Sequence, residues 1–400
     1  MSRESVKKRA KRLLKKPAQF LAKDWSLGIA FPRTYEKAAD APIDPRKVLF
    51  IDGKSLEMPD AFCLLFPYLE NHYDLDVRFV GLGMNEGVGW IGYYKRCLDL
   101  ARDLATASYV FLADASDVVS CLPIRPETKV VQLWHACGAF KKFGMSTADK
   151  LFGGSRAEKE RHPFYKNLDL VTVSSPEVEW AYREAMELED TPDVVQALGI
   201  SRTDVFHHEE FRVVSRDAIE SMIPGIDGRK IVLYAPTFRG RATSAEGPGK
   251  LEIAKMRAAL GNDWALLVKH HPFVKSPTPI PEGCEDFAFM VADVPIDCLM
   301  CAADACISDY SSIVFEYSLL DQPLLFFAYD LEDYDDWRGF YYDYDEMTPG
   351  PVVRTTDEVI DFIAHADERY DRELMASFRY KFMSACDGHA TERIARTVLG

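Results

Sequence analysis

Lys129-Val130-Val131-Gln132-Leu133-Trp134-His135 is a short apolar run that closes on a histidine, and the same plan recurs along the chain. Around the strand expected at Val130–Trp134, further runs stand at Val48–Ile51, Val77–Val80, Tyr109–Leu112 and Leu170–Val173. A second series occupies Val194–Leu198, Ile231–Tyr234, Ala265–Val268, Ala305–Ile307 and Leu324–Phe327. Unbroken Val/Ile/Leu/Phe runs, mostly about 20–40 residues apart, mark parallel strands joined by crossover helices. The series divides near residue 190, where Glu189-Asp190-Thr191-Pro192 has the composition of a linker. The expected fold class is therefore α/β: two doubly wound parallel-sheet, Rossmann-like domains facing a cleft. Their expected ranges are residues 25–190 and 191–400, after a distinct segment 1–24. Ligands of such sheets bind beyond the carboxyl ends of the strands.

Composition removes several alternatives. The 400 residues are 48% hydrophobic and 28% charged, which excludes a chain dominated by disorder, collagen repeats or coiled coil. No run reaches the ~18–20 apolar residues of a membrane span. Nine cysteines, an odd number, accompany a start that lacks an apolar secretory signal, so a cytoplasmic setting with free thiols is expected. A net charge of −15 argues against a general nucleic-acid binder.

That charge is uneven. Residues 1–24 hold nine Lys/Arg against two acids, a local +7 that leaves −22 for the remainder. Val6, Ala10, Leu13 and Leu14 recur among these cations at helical spacing, Pro17 ends or kinks the pattern, and Phe20, Leu21 and Trp25 offer interfacial anchors. One reading is a basic amphipathic helix on an anionic membrane surface; the other is a solvated tail or a helix docked on the acidic body.

Chemistry-bearing residues cluster where the strands end. His135 leaves a strand tip ahead of Lys141 and Lys142, as a base beside a bound anion would, although a structural histidine and a solvated lysine pair fit equally well. Lys269-His270-His271-Pro272 ends another strand, with Pro272 fixing the turn. Neighbouring histidines on extended chain point opposite ways, which disfavours a metal. Arg239, after Tyr234-Ala235-Pro236-Thr237-Phe238, is either a fork for phosphate or a surface residue. Ser308-Asp309-Tyr310-Ser311-Ser312 precedes the helical run Ile313–Leu320, and a helix start rich in hydroxyls suits an anion as well as ordinary capping. Glu316, one turn on, either accepts ribose hydroxyls or is exposed. Cys298, Cys301 and Cys306 lie in an apolar stretch without a second zinc-like pair and read as buried thiols. The pairs Asp74/Asp76 and Asp343/Asp345 are discounted as chance in so acidic a chain.

Taken together, Val131-Gln132-Leu133-Trp134-His135 and Lys141-Lys142-Phe143-Gly144 closely resemble the corresponding block of the CDP-glycerol glycerophosphotransferase family, the teichoic-acid primases and polymerases. Further blocks follow in the family's order: Gly199-Ile200-Ser201-Arg202-Thr203-Asp204, Tyr234 to Arg239, Lys269 to Pro272 and Ser308 to Ser312. Tyr329-Asp330-Leu331, Arg338-Gly339-Phe340, Pro349-Gly350-Pro351 and Asp387-Gly388 complete the set. Ala136-Cys137 replaces the family's usual Gly-Thr, and Ser201 replaces the usual Pro before Arg202.

The resemblance, over roughly residues 47–395, implies a GT-B-like fold with an acceptor-side N-terminal domain, a CDP-binding C-terminal domain and a last helix that crosses back. It implies transfer of a polyol phosphate, most often glycerol phosphate, from a CDP-alcohol to an acceptor hydroxyl, releasing CMP. His135 is then the base and His271 a second catalytic residue that, with Arg239, neutralises the diphosphate; Ser311 and Ser312 hold phosphate, and Lys141, Lys142, Asp309 and Glu316 complete the substrate contacts. No tightly bound metal is expected, an added Mg²⁺ requirement stays open, and the acceptor is lipid-linked or polymeric. The place of work is the cytoplasmic face of the cell membrane, with residues 1–24 on the anionic surface. The rival activities are a GT-B glycosyltransferase using a nucleotide sugar and a catalytically inactive scaffold of wall assembly.

Overall fold

The computed structural model describes residues 20–84, 89–150, 153–226, 228–240, 245–261, 263–277, 279–333 and 339–400. Most of the basic segment expected at residues 1–24 thus lies outside the described residues, as does Arg338. Among the described residues twelve strands form two six-stranded sheets, ordered β2-β1-β3-β4-β5-β6 and β12-β11-β10-β7-β8-β9. In the first sheet β1 (Asp44–Asp52) pairs in parallel with β2 (Asp76–Gly81) and β3 (Ala107–Leu112), followed by β4 (Lys129–Gln132) and β5 (Leu170–Thr172). The run Val48–Asp52 is buried throughout, as a strand covered on both faces must be. The later strands are β6 (Val195–Gln196), β7 (Lys230–Tyr234), β8 (Trp264–Val268), β9 (Ala288–Met290), β10 (Ala305–Ser308), β11 (Leu324–Phe327) and β12 (Val352–Val353).

All ten runs read from the sequence contain a strand. β9 and β12 were not expected, because three and two residues are too few to carry a periodic signal.

Contacts divide the chain into two units: Met1–His135 with Ser155–Thr172 and Ala395–Gly400, and Ala136–Gly154 with Val173–Ile394. The division differs from one at residue 190. The acidic, Pro-containing stretch there is a local turn, in which Thr191 N–H donates to Leu188 C=O and a 3-10 turn, Pro192–Val194, follows. Composition marked a change of direction inside one unit, not a boundary between two.

The core of the first unit packs Leu49, Ile51, Val110 and Leu112 against Leu100, Leu104 and Phe31. On its surface, Trp25 and Trp90 both stack on Tyr94, with ring centroids 6.2 and 5.3 Å apart, and Ile91 beside them is 78% exposed. The core of the second unit joins Val232, Leu266, Ile307 and Leu325 to Met256, Leu260, Phe362 and Ile363. Among the described residues no helix is long and apolar enough to cross a membrane.

Candidate active site

In the first unit four polar side chains gather just beyond the carboxyl ends of β1, β3 and β4. Asp52 closes β1 and its carboxylate accepts from the Lys54 amide at 2.8 Å. Burial raises the Asp52 pKa above its ordinary value, with the Asp114 charge adding to the effect. Asp114 follows β3 and pairs with the Lys54 ammonium. His135, about half exposed, brings Nδ1 to 3.3 Å from the Ala113 carbonyl and 3.7 Å from the Asp114 carboxylate. Both neighbours are acceptors, so Nδ1 carries the proton of the neutral ring and the lone pair sits on Nε2. That is the arrangement of a general base, and Asp114 would stabilise the imidazolium once it forms.

In the second unit the carboxyl ends of β7, β8, β10 and β11 carry the remaining motifs. Arg239 is enclosed by protein acceptors. Nε and Nη2 fork onto Asp330 at 2.6 and 2.8 Å, while Nη1 reaches Thr237 C=O at 2.6 Å and Asp309 at 3.0 Å. The guanidinium also lies over Tyr310 and Tyr329. Burial works against its charge, but the two carboxylates outweigh that and raise its pKa. The fork expected to meet a phosphate is thus closed on Asp330.

Asp309 is likewise committed within the fold. Its side chain is 3% exposed and accepts from the amides of Thr237 and Tyr310 at 2.8 and 2.6 Å. Glu316, expected at a ribose or in solvent, is buried in an ion triad with Arg202 and Asp297. The reason is the helix Ile313–Ser318, whose residues Val314–Ser318 are all buried. Burial raises the Glu316 pKa, opposed by Arg202.

Ser311 and Ser312 stand at the start of that helix, partly buried, and among the described residues Ser312 makes no side-chain cap bond. His271 is exposed between Phe238 and Phe273, and its Nδ1 accepts from the Phe273 amide at 3.1 Å. The neutral ring therefore has its proton on Nε2 and can donate to an anion. His270 is half-buried, with its ring against Gly247. Lys141 and Lys142 are held by backbone pairing with the aromatic segment: Lys142 N–H donates to Gly339 C=O at 3.0 Å and Tyr341 N–H to Phe140 C=O at 3.2 Å.

The departures from the family pattern are accommodated locally. Cys137 is buried beside Cys386, and Ser201 Oγ pairs with Thr391 Oγ1 at 2.9 Å. Among the described residues no group of three or more His, Cys, Asp or Glu has metal-holding geometry; Cys301 is partly buried and Cys306 buried, and burial pushes the Cys301 thiol up to about 12.

The model of the CDP-glycerol:poly(glycerophosphate) glycerophosphotransferase family matches residues 34–400. This chain belongs to that family. It is 32% identical over 358 residues to a teichoic acid ribitol-phosphate primase of Bacillus spizizenii, covering 88% of this chain and 91% of the primase. A poly(ribitol-phosphate) polymerase of the same organism is 33% identical over 90% of this chain, which spans 57% of that polymerase. A glycerol-phosphate primase from the same organism is also 33% identical, over 64% of this chain and 67% of the primase. Identity thus does not separate ribitol from glycerol relatives. Among solved structures the wall teichoic acid polymerase TagF aligns with a TM-score of 0.74 at 20% identity, over 98% of this chain and 97% of that one. A TagF variant soaked with CDPG gives the same score. A UDP-GlcNAc 2-epimerase of Neisseria meningitidis aligns at 0.53 and 13% identity, covering 88% of this chain and 99% of the epimerase. The fold is the α/β, GT-B-like one expected.

Proposed function

We propose that this protein transfers a polyol phosphate from a CDP-alcohol to an acceptor hydroxyl in the synthesis of teichoic acid or a related cell-surface polymer. His135 Nε2 takes the hydroxyl proton as the oxygen attacks the phosphorus nearer the polyol. An O–P bond forms, the bond to the bridging oxygen breaks, and CMP departs with the electron pair. The donor diphosphate is held by His271 Nε2–H and by the Ser311–Ser312 helix start, with Lys141 and Lys142 supplying positive charge. Such a displacement needs alignment and charge stabilisation more than covalent help. What supports this reading most is the geometry of His135, whose Nδ1 faces only acceptors among its named neighbours, in a chain whose family membership covers nearly all its length.

The working site on this proposal is the inner face of the cell membrane. Supporting it, Trp25, Trp90 and Ile91 are 52%, 62% and 78% exposed, and a segment of charge +7 lies at the start of the chain. Exposed tryptophans and a polybasic segment each suit the headgroup layer of an anionic bilayer.

The deciding experiment incubates the protein with CDP-glycerol or CDP-ribitol and lipid-linked acceptors, with and without EDTA, and identifies products by mass. Release of CMP with a new phosphodiester is the expected outcome. Release of a nucleoside diphosphate from a nucleotide sugar would instead establish the glycosyltransferase, and binding of CDP-alcohol without turnover the scaffold. Loss of turnover in EDTA, restored by Mg²⁺, would assign the metal requirement.

A further inference from the structure

Gln132 is the one polar residue inside the buried part of β4, and it is 0% exposed. Its amide is used at both ends: Nε2 donates to the Asp114 carbonyl at 3.1 Å, and Oε1 accepts from the Trp134 amide at 3.1 Å. The two partners fix the orientation of the amide, since one is only an acceptor and the other only a donor. Trp134 needs this partner because it is buried and has left the sheet pattern. Leu133 N–H still donates to Leu112 C=O on β3, but Trp134 has φ +60°, a left-handed conformation that is strained for a non-glycine residue. A buried amide left without its partner at this turn would add to that strain. Thr172 Oγ1 donates to the Leu133 carbonyl at 3.3 Å, so the turn is held from β5 as well. The next residue is His135, with its ring 4.5 Å from that of Trp134 and its Nδ1 against Ala113, the neighbour of Asp114.

We propose that Gln132 is a positioning residue. By bridging the Asp114 carbonyl and the Trp134 amide, it locks the left-handed turn that seats His135 Nδ1 on the Ala113 carbonyl, and so fixes the tautomer whose lone pair is on Nε2. The consequence for catalysis rests on the reading of His135 as the base; the consequence for the tautomer does not.

The test uses the full chain labelled with ¹⁵N-histidine, the His135 signals being assigned by their loss in His135→Gln. The intact protein should show Nδ1 protonated and Nε2 bare. In Gln132→Met, which keeps the size and removes both hydrogen bonds, the proton should move toward Nε2. The kcat should fall at least ~10-fold, as misplacement of a reacting group does, while KM for the CDP-alcohol stays within about 2-fold. Gln132→Glu, which keeps the acceptor for Trp134 but loses the donor, should lie between. A wild-type His135 with its proton on Nε2 overturns the proposal without any variant, should Gln132→Met fail to fold. So does a Gln132→Met protein that keeps the tautomer, whatever its rate. A changed tautomer with unchanged kcat supports the positioning and removes His135 from the chemistry.

Discussion

His135 and His270 carry the same side chain in opposite circumstances, and each makes a prediction. His135 keeps Nδ1 against acceptors, so His135→Ala should lower turnover at least ~100-fold with donor affinity little changed, the usual yield of a positioned base. Near-normal turnover in the purified variant would end its catalytic role. His270 has both ring nitrogens buried without a hydrogen-bond partner among the described residues, and the edge of its ring lies 2.7 Å from where a Cβ on Gly247 would fall. Burial lowers its pKa below the ordinary 6.5. The unfolded chain therefore binds this proton more readily, so the contribution of His270 to stability is present above pH 6.5 and is lost as pH falls through the folded value. His270→Phe should match or exceed the parent at pH 7 and lose less stability between pH 6.5 and 5, measured by urea melts. A steeper acid loss in the variant would contradict this. The resemblance is what named His271; the strand pattern alone did not choose between His270 and His271, because the choice depends on what packs over each ring. The same holds for Asp309 and Glu316. Their position after a strand was readable, but their use inside the fold depends on Arg239 and Arg202, which arrive from 70 and 114 residues away.

Strands were the most legible elements, because burial on both faces writes itself as an apolar run. The loops between them were read only as motifs, and the structure changes what two of them do. Arg239 ties Thr237, Asp309 and Asp330 into one unit across the ends of β7, β10 and β11, and Tyr310 Oη adds a bond to Asp330 at 2.9 Å. Arg239→Ala leaves Asp309 buried with its two amide hydrogen bonds but without the counter-charge of Arg239, and should cost about 3–5 kcal/mol in denaturant unfolding. His271→Ala, by contrast, should leave stability nearly unchanged and weaken CDP-alcohol binding about 10- to 100-fold, the loss of one charge-assisted hydrogen bond. Calorimetry and unfolding on both variants separate strut from ligand, and equal stability in the two would refute the distinction. The other loop is Ala136-Cys137-Gly138. Gly138 has φ +61°, and a Cβ there would run into the ring of Phe315, which is fully buried among Phe140, Phe378 and Phe382. Gly138→Ala should destabilise the protein by about 2–4 kcal/mol through conformation and overpacking together. A melt within about 0.5 kcal/mol of the parent would show that the ring moves aside at little expense.

For the molecule as a whole, charge asymmetry is the feature composition exposes most directly, since it needs no contacts to be counted. Polybasic segments gain about 1 kcal/mol per cation near an anionic surface, screened over a Debye length of ~8–10 Å. Removing residues 1–24 should abolish salt-sensitive sedimentation with anionic vesicles and spare turnover on a soluble acceptor analogue. Trp90→Ala with Ile91→Ser should weaken sedimentation in a salt-insensitive way, because it removes apolar contact and no charge. Undiminished binding by the truncated chain would move the attachment elsewhere.

The pairing of residues 140–142 with 339–341 also bears on how the second unit comes into being. Ser174 Oγ donates to the Phe382 carbonyl at 2.7 Å, and the Ala385 amide donates to Ser174 at 3.0 Å. An early stretch of this unit therefore has some of its partners near the far end of the polypeptide. Ser174 and Tyr182 reach Gly138 and Phe143 early, but during translation the pairing of residues 140–142 must wait until residues 339–341 have been made, and contacts so distant in sequence form slowly. A nascent chain stalled before residue 339 should be cut more readily by protease at residues 140–142 than the released protein, and gain its full resistance there only after release.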